Sequence, residues 1–195
     1  MTFPPSPRPP LNGNRLELSR KLFHLSGLLL LLVPKFFGSK AKVVFLALAC
    51  SVSIIEFLRL KFQVVAHLLE KVFARLMRPE EHQRLSGSFY FFWGVALSFF
   101  FFGSWCATLG LLVLAIADPL ASCAGVLFGR HRLLRKSLEG TAVFFLVSSS
   151  IFYLAGLPLR SALFLAVLAA LLENLSPIND NLLLPLGVSA LCHLF

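Results

Sequence analysis

Residues able to bind charge or move protons gather in four short clusters of this chain. In LLENLSPINDNLLLP, Glu173, Asn174, Asp180 and Asn181 surround Pro177. Acids and amides concentrated in a kinked turn suit a hard cation with oxygen ligands, such as Mg²⁺ carrying nucleotide phosphates, although the same residues also read as a plain interhelical turn. In GRHRLLRKSLEGT, Arg130, Arg132, Arg135 and Lys136 precede Ser137, Glu139 and Gly140. Such a run suits phosphate oxygens: Arg bonds them through its fork, Lys acts as a point charge, and a following helix N-terminus adds N–H donors. A P-loop is excluded, because its pattern needs glycines where Arg130 and Arg135 stand. The bland reading, a basic loop beside a membrane span, explains the charges but not the Ser-x-Glu-Gly that follows.

The other two clusters lie at or inside apolar runs. Asp118 interrupts LAIADPLASCAGVLFG, and a carboxylate inside a membrane costs roughly 3 kcal/mol or more unless paired, which makes it a functional candidate by default. The alternative is a structural Asp paired to one Arg. Pro119 removes a helix hydrogen bond, and Gly125 and Gly129 permit close backbone approach, so a broken span lining a cavity is expected. In ELSRKLFH, Glu17, Arg20, Lys21 and His24 share one helix face. That face serves as a topology anchor or as a site wall. His24, one turn inside the span, needs a polar partner in either case.

The elements that must position these groups follow from composition. Of 195 residues 57% are hydrophobic and 14% charged, and the mean hydropathy is +0.83, which excludes an ordinary soluble domain. Seven apolar stretches are expected to span a membrane as an all-α bundle: 21–37, 41–60, 87–102, 105–128, 138–155, 157–172 and 182–195. Between the second and third, Phe62, Val65, Leu69, Val72, Phe73 and Leu76 recur at helical spacing opposite Glu70, Lys71 and Arg75, predicting an amphipathic interfacial helix within 61–85. The aromatic crowding from Phe99 to Trp105 reads as an interfacial belt. The proline-rich start predicts a disordered tail over 1–16, without the apolar core of a cleavable signal peptide, ahead of a single transmembrane catalytic domain over 17–195. Cys50, Cys106, Cys123 and Cys192 fall in apolar runs with no CxxC pair, and are expected as core or lipid-facing residues instead of metal ligands or disulfides.

Charge sets the orientation. The chain carries a formal +9, which membrane topology accounts for without a nucleic-acid partner. With the N-terminus inside, only Lys35, Lys40, Lys42 and Arg160 of the eighteen basic residues fall on the far side, so the C-terminus is expected outside. All nine acids also lie at or toward the cytoplasmic face. Both signs concentrated on one face indicate a polar site there.

Taken together the motifs resemble the CTP-dependent lipid kinases, a family that includes dolichol, phytol and farnesol kinases and the fungal CTP-dependent diacylglycerol kinase. The resemblance runs from Glu17 to Pro185. It rests on ELSRKLFH, on Glu56 with Arg59, on SGSFY at 86–90, on ADPLASCAGVLFG, on KSLEGTAVFF, and on Glu173 with Asp180-Asn181, in that order and spacing. Phosphatidate cytidylyltransferases carry a related pattern, but with a longer, proline-containing approach to the lysine; here the six residues between Gly129 and Lys136 contain no proline.

The resemblance implies transfer of the γ-phosphoryl group of CTP to the hydroxyl of a polyprenol-type alcohol at the cytoplasmic face, with Mg²⁺ as cofactor. It implies catalytic roles for Asp118, Lys136, Glu139 and Asp180, and metal binding by Asp118, Glu173 and Asp180. Nucleotide binding would fall to Arg20, Lys21, His24, Gly125, Gly129, Arg130, Lys136, Ser137, Gly140 and Asn181. A diacylglycerol kinase, a cytidylyltransferase and a small lipid transporter are the alternatives. Transport would need polar residues continuing to the outer side, and the outer halves of the spans are almost uniformly apolar. The plasma membrane of a prokaryote is the expected location, and a bundle this small is compatible with an oligomer.

Overall fold

The computed structural model describes residues 24–73, 84–133, 136–175 and 179–194. The expected tail, Glu17, Arg20 and Lys21 lie outside them. Helices dominate, as the unbroken apolar runs require, since backbone polar groups in an apolar medium must bond within their own segment.

A 3₁₀ stretch, Ser26–Leu31, leads into α1 (Leu32–Phe37). Gly38, at φ 51°, turns the chain into a short 3₁₀ segment and then α2 (Ala41–Lys61). Phe62 is extended and ends α2; α3 (Gln63–Phe73) follows. On α3, Val65 and Leu69 are half-buried while Gln63, His67 and Lys71 face out, which is the amphipathic pattern expected from the sequence. Its continuation from 74 to 83 lies outside the described residues.

α4 (Gly87–Phe101) ends in a turn at Gly103, φ 75°, and α5 (Gly103–Leu112) begins there. A π turn, Val113–Ala117, connects α5 to α6 (Asp118–Phe128). The broken span expected at Pro119 is therefore corrected: the helix continues across it. Asp118 donates its N–H to the Val113 carbonyl, five residues back, so the turn is one residue wider. Pro119, which has no N–H to donate, sits in the first turn beyond the widening, where its ring is accommodated without cutting the helix.

After α6 a two-stranded antiparallel hairpin, β1 (Arg132–Leu133) and β2 (Lys136–Ser137), sets Arg132 opposite Ser137 and Leu133 opposite Lys136. Then come α7 (Leu138–Leu154), a turn at Gly156 with φ 98°, α8 (Leu159–Leu175) and α9 (Asp180–His193).

α9 is the hub of the bundle, packed against α4, α5, α8 and the π turn; α2 lies along α4, and α7 lies between α6 and α8. The core is made by Phe45, Phe99, Leu109, Leu111, Leu114, Phe144, Phe152, Leu165, Leu184 and Val188, all at most 2% exposed. Outward-facing residues are apolar as well, among them Val43, Ile54 and Phe57 on α2 and Phe164, Val167 and Leu171 on α8. An apolar interior with an apolar exterior is the signature of a bundle solvated by lipid. Two helical runs, Ser26–Lys61 and Gly103–Phe128, are long and apolar enough to cross a membrane; Gly87–Phe101 and Leu138–Leu154 are shorter apolar helices.

The reading of all four cysteines as unpaired is also corrected. Cys106, near the start of α5, and Cys192, near the end of α9, form a disulfide with their Cα atoms 5.6 Å apart. Their separation of 86 residues hides the pairing from any local pattern. Cys50 and Cys123 take no part in that bridge.

Candidate active site

Lys136 is carried on β2, immediately before the first turn of α7, and its side chain reaches across to the ends of two other helices. Its Nζ lies 3.2 Å from Glu173 Oε1, in the last turn of α8, and 2.9 Å from Asp180 Oδ2, at the start of α9. Asp118, fully buried at the head of α6, is close enough for its charge to act on the same ammonium. Burial pulls the Lys136 pKa down. The carboxylates of Glu173, Asp118 and Asp180 outweigh it and hold the ammonium well above the ordinary lysine range. Two acids at helix ends, a third inside the continuous run Gly103–Phe128, and one cation from the hairpin thus come together.

Each member is held by its own neighbours. Glu173 is 2% exposed, and its second oxygen, Oε2, accepts from Asn174 Nδ2 at 3.4 Å. That amide also donates to Thr141 Oγ1 and to the Ala170 carbonyl, each at 3.0 Å, which ties the start of α7 to the end of α8. Asn179 Oδ1 accepts the Asn181 N–H at 3.1 Å and so caps α9 just where Asp180 enters the site. Asn181 donates its side-chain amide to the Gly87 carbonyl at 3.1 Å, so it anchors α9 to α4.

The hairpin is tied down by Glu139. Its carboxylate accepts the Arg130 N–H at 3.0 Å, the His131 N–H at 3.2 Å, and pairs with His131 Nδ1 at 3.0 Å. Glu139 thus organises the loop that presents Lys136, and its oxygens are directed at that loop's backbone. Ser137 Oγ accepts the Gly140 N–H at 3.0 Å, capping α7.

The glycines expected to open room for a ligand are filled by the chain itself. A Cβ on Gly140 would lie 2.8 Å from the Ala121 carbonyl, one on Gly125 2.9 Å from Ser137 Oγ, and one on Gly129 3.0 Å from Ser137 Cβ. They make a close joint between α6 and α7, and that joint fixes the hairpin. Arg130 and Arg132 stand exposed beside it. His24 is half-buried, its ring edge-on to Phe91 with centroids 5.6 Å apart.

The structure therefore brings Asp118, Lys136, Glu173 and Asp180 together, places Ser137, Glu139, Gly125, Gly129 and Gly140 in the scaffold around them, and sets Asn181 at the α4–α9 contact. Sequence reasoning gave no role to Thr141 or His131, and it placed Asn174 among the oxygen donors of the turn, whereas its amide instead joins α7 to α8. The signal available was a polar residue at the end of an apolar run, since such a group needs a partner when buried.

The donor set fits a hard cation in one respect. Among the described residues no three acid or histidine groups stand close enough to enclose a metal ion. Mg²⁺ takes only one or two protein carboxylates when it travels with nucleotide phosphates, and Glu173 with Asp180 supplies that pair around a position where positive charge already sits.

No family model matches the chain. In an alignment of 191 positions that covers 87% of the chain, it is 32% identical to dolichol kinase of Saccharomyces cerevisiae. In an alignment of 86 positions that covers 40% of the chain, it is 34% identical to dolichol kinase sec59 of Schizosaccharomyces pombe. The chain spans 35% of the first relative and the match covers 17% of the second. No solved structure matches. The lipid-kinase resemblance carried by the motifs is borne out over most of this chain.

Proposed function

We propose that the chain is an integral-membrane lipid kinase of about seven spans, transferring the γ-phosphoryl group of CTP to the hydroxyl of a polyprenol-type alcohol at the cytoplasmic face. The observation that carries this is the convergence of Lys136, Glu173, Asp180 and buried Asp118 in a chain similar to dolichol kinases. Phosphoryl transfer needs in-line positioning and neutralisation of charge more than covalent chemistry, and a few helix ends can supply both.

In this reading Lys136 faces the phosphates, with Arg130 and Arg132 on the same hairpin drawing in the nucleotide. Glu173 and Asp180 would hold Mg²⁺, which supplies charge neutralisation on the phosphate oxygens when bound. Asp118, buried where water is scarce, accepts the proton of the alcohol as its oxygen bonds to the γ-phosphorus and the bond to the departing CDP breaks. The lipid tail lies among apolar helices.

The disulfide supports the orientation. Cys192 and Asp180 sit twelve positions apart on α9, about 18 Å at 1.5 Å per residue. Disulfides persist on the oxidising side of a membrane and nucleotides are found on the other. On that ground the bridge would lie at the outer end and the carboxylates at the cytoplasmic end, the orientation that the basic-residue count also favours.

The test is an assay of purified protein with Mg²⁺, CTP labelled at the α or the γ phosphate, competing ATP, and a panel of polyprenol, phytol, farnesol, diacylglycerol and phosphatidate. The expected result is γ label in an isoprenoid alcohol. Label in diacylglycerol changes the acceptor, α label in phosphatidate makes the chain a cytidylyltransferase, and absence of transfer to any lipid overturns the kinase reading in favour of transport.

A further inference from the structure

Another buried charged pair lies at the end of α2. Glu56 and Arg59 are each 5% exposed and meet carboxylate to fork: Arg59 Nε donates to Glu56 Oε2 at 2.8 Å and Nη2 to Oε1 at 2.9 Å. A pair that only neutralised itself would stop there. This one reaches a segment thirty residues further along the chain, where Arg59 Nη2 donates to the Arg84 carbonyl at 2.6 Å and Glu56 Oε1 accepts the Ser86 N–H. Both ends of the 84–86 turn are therefore gripped by one rigid ion pair.

That turn launches α4. Ser86 Oγ accepts the Phe89 N–H at 3.4 Å, and the next residue, Gly87, receives the Asn181 side-chain amide on its carbonyl. Two turns on, a Cβ at Gly94 would lie 2.6 Å from the Asn181 carbonyl and 3.0 Å from Leu182 Cα, so α4 and the start of α9 touch backbone to backbone. Asn181 is the neighbour of Asp180, whose carboxylate takes Lys136. A continuous path of short contacts thus runs from α2 through the head of α4 to the acid in the site.

We infer that Glu56 and Arg59 are positioning residues, a bracket that sets the height of α4 and, through Gly87 and Asn181, aims Asp180 at Lys136. The inference deepens the kinase reading and rests on Asp180 belonging to its site. A guanidinium is required, because only its planar fork serves the carboxylate and the Arg84 carbonyl together; a lysine would keep the charge and lose the bracket.

The full chain in lipid nanodiscs is compared with Arg59→Lys, Asp180→Asn and the double variant. Arg59→Lys should lower kcat per folded molecule roughly 10- to 100-fold, the range seen when support around a catalytic ligand is lost, while KM for the alcohol stays unchanged. Amide exchange should quicken in the first turn of α9 and stay unchanged in the middle of α7. In the Asp180→Asn background the same substitution should cost less than about twofold, since its effect travels through Asp180. Glu56→Gln, which retains an acceptor for the Ser86 N–H, should show the same pattern at smaller size and serves if Arg59→Lys does not fold. Equal losses in both backgrounds, or wild-type exchange at the start of α9, would overturn the inference. Full activity in Asp180→Asn would instead remove Asp180 from the chemistry, while faster α9 exchange in Arg59→Lys would still establish the bracket itself.

Discussion

Asp118 and Glu139 are both acids that the sequence marks as catalytic candidates, yet their surroundings give them different work. Asp118 is fully buried and bears on Lys136; Glu139 spends its oxygens on the Arg130 and His131 amides. Removing a proton acceptor costs roughly 10²- to 10⁴-fold, so Asp118→Asn is expected to lose at least about 10² in kcat. Glu139→Gln keeps an acceptor for the loop and should lose less than about tenfold in kcat, with the larger effect on KM for CTP. Steady-state kinetics of the two variants side by side checks this; a fully active Asp118→Asn overturns the role given to Asp118. Asp118 is legible in the sequence because charge inside an apolar run is conspicuous, and Glu139 because a basic loop beside a span does not require the Ser-x-Glu-Gly that follows it. Their division of labour is not, because Glu139 meets its partners through a hairpin that folds 130–131 back over it, and two-residue strands leave no periodic trace.

The joint between α6 and α7 shows the same limit at the next scale. Glycines at 125, 129 and 140 read equally as room for a ligand or for a neighbouring helix, and only the packed structure decides for the helix. The consequence is measurable. A methyl group at Gly140 meets the Ala121 carbonyl at 2.8 Å, a helix backbone atom that cannot turn aside; at Gly125 it meets the Ser137 hydroxyl, which can. Gly140→Ala is expected to destabilise the fold by roughly 1–3 kcal/mol, as overpacking does, and Gly125→Ala by less. Thermal unfolding in detergent, following intrinsic fluorescence, gives the ranking; an unchanged midpoint for Gly140→Ala would mean the joint is looser than the geometry shows. Helix positions themselves were plain from hydrophobic runs, since α2, α4, α7 and α9 fall close to where apolar stretches start and stop. The π turn is not legible in the sequence, because a one-residue widening leaves the apolar run unbroken and Pro119 reads the same in a kink, a break or a bulge.

For the molecule as a whole, two independent features point the same way across the membrane. The basic-residue count in the sequence expects the loops on the Lys136 side to be cytoplasmic, and the Cys106–Cys192 bridge lies toward the opposite end of α9 from Asp180. The first is a statistical tendency of membrane insertion and the second a matter of redox chemistry, so their agreement is stronger than either alone. If both are right, a cysteine placed on the exposed hairpin, as in Arg132→Cys with Cys50 and Cys123 replaced by alanine, will resist a membrane-impermeant maleimide added outside intact cells. It will label once the membrane is opened. Cys106 and Cys192 should stay unlabelled in both conditions and become reactive only after reduction, since a bridged sulfur has no thiol to alkylate. Labelling of Arg132→Cys in sealed cells would turn the bundle over and put the carboxylates where nucleotides are scarce, which no kinase using CTP could tolerate. Labelling of Cys106 or Cys192 without reductant would leave the orientation resting on the basic residues alone, and would make the α5–α9 contact one of packing, through Gly110 against Pro185 and Ser189, without covalent help.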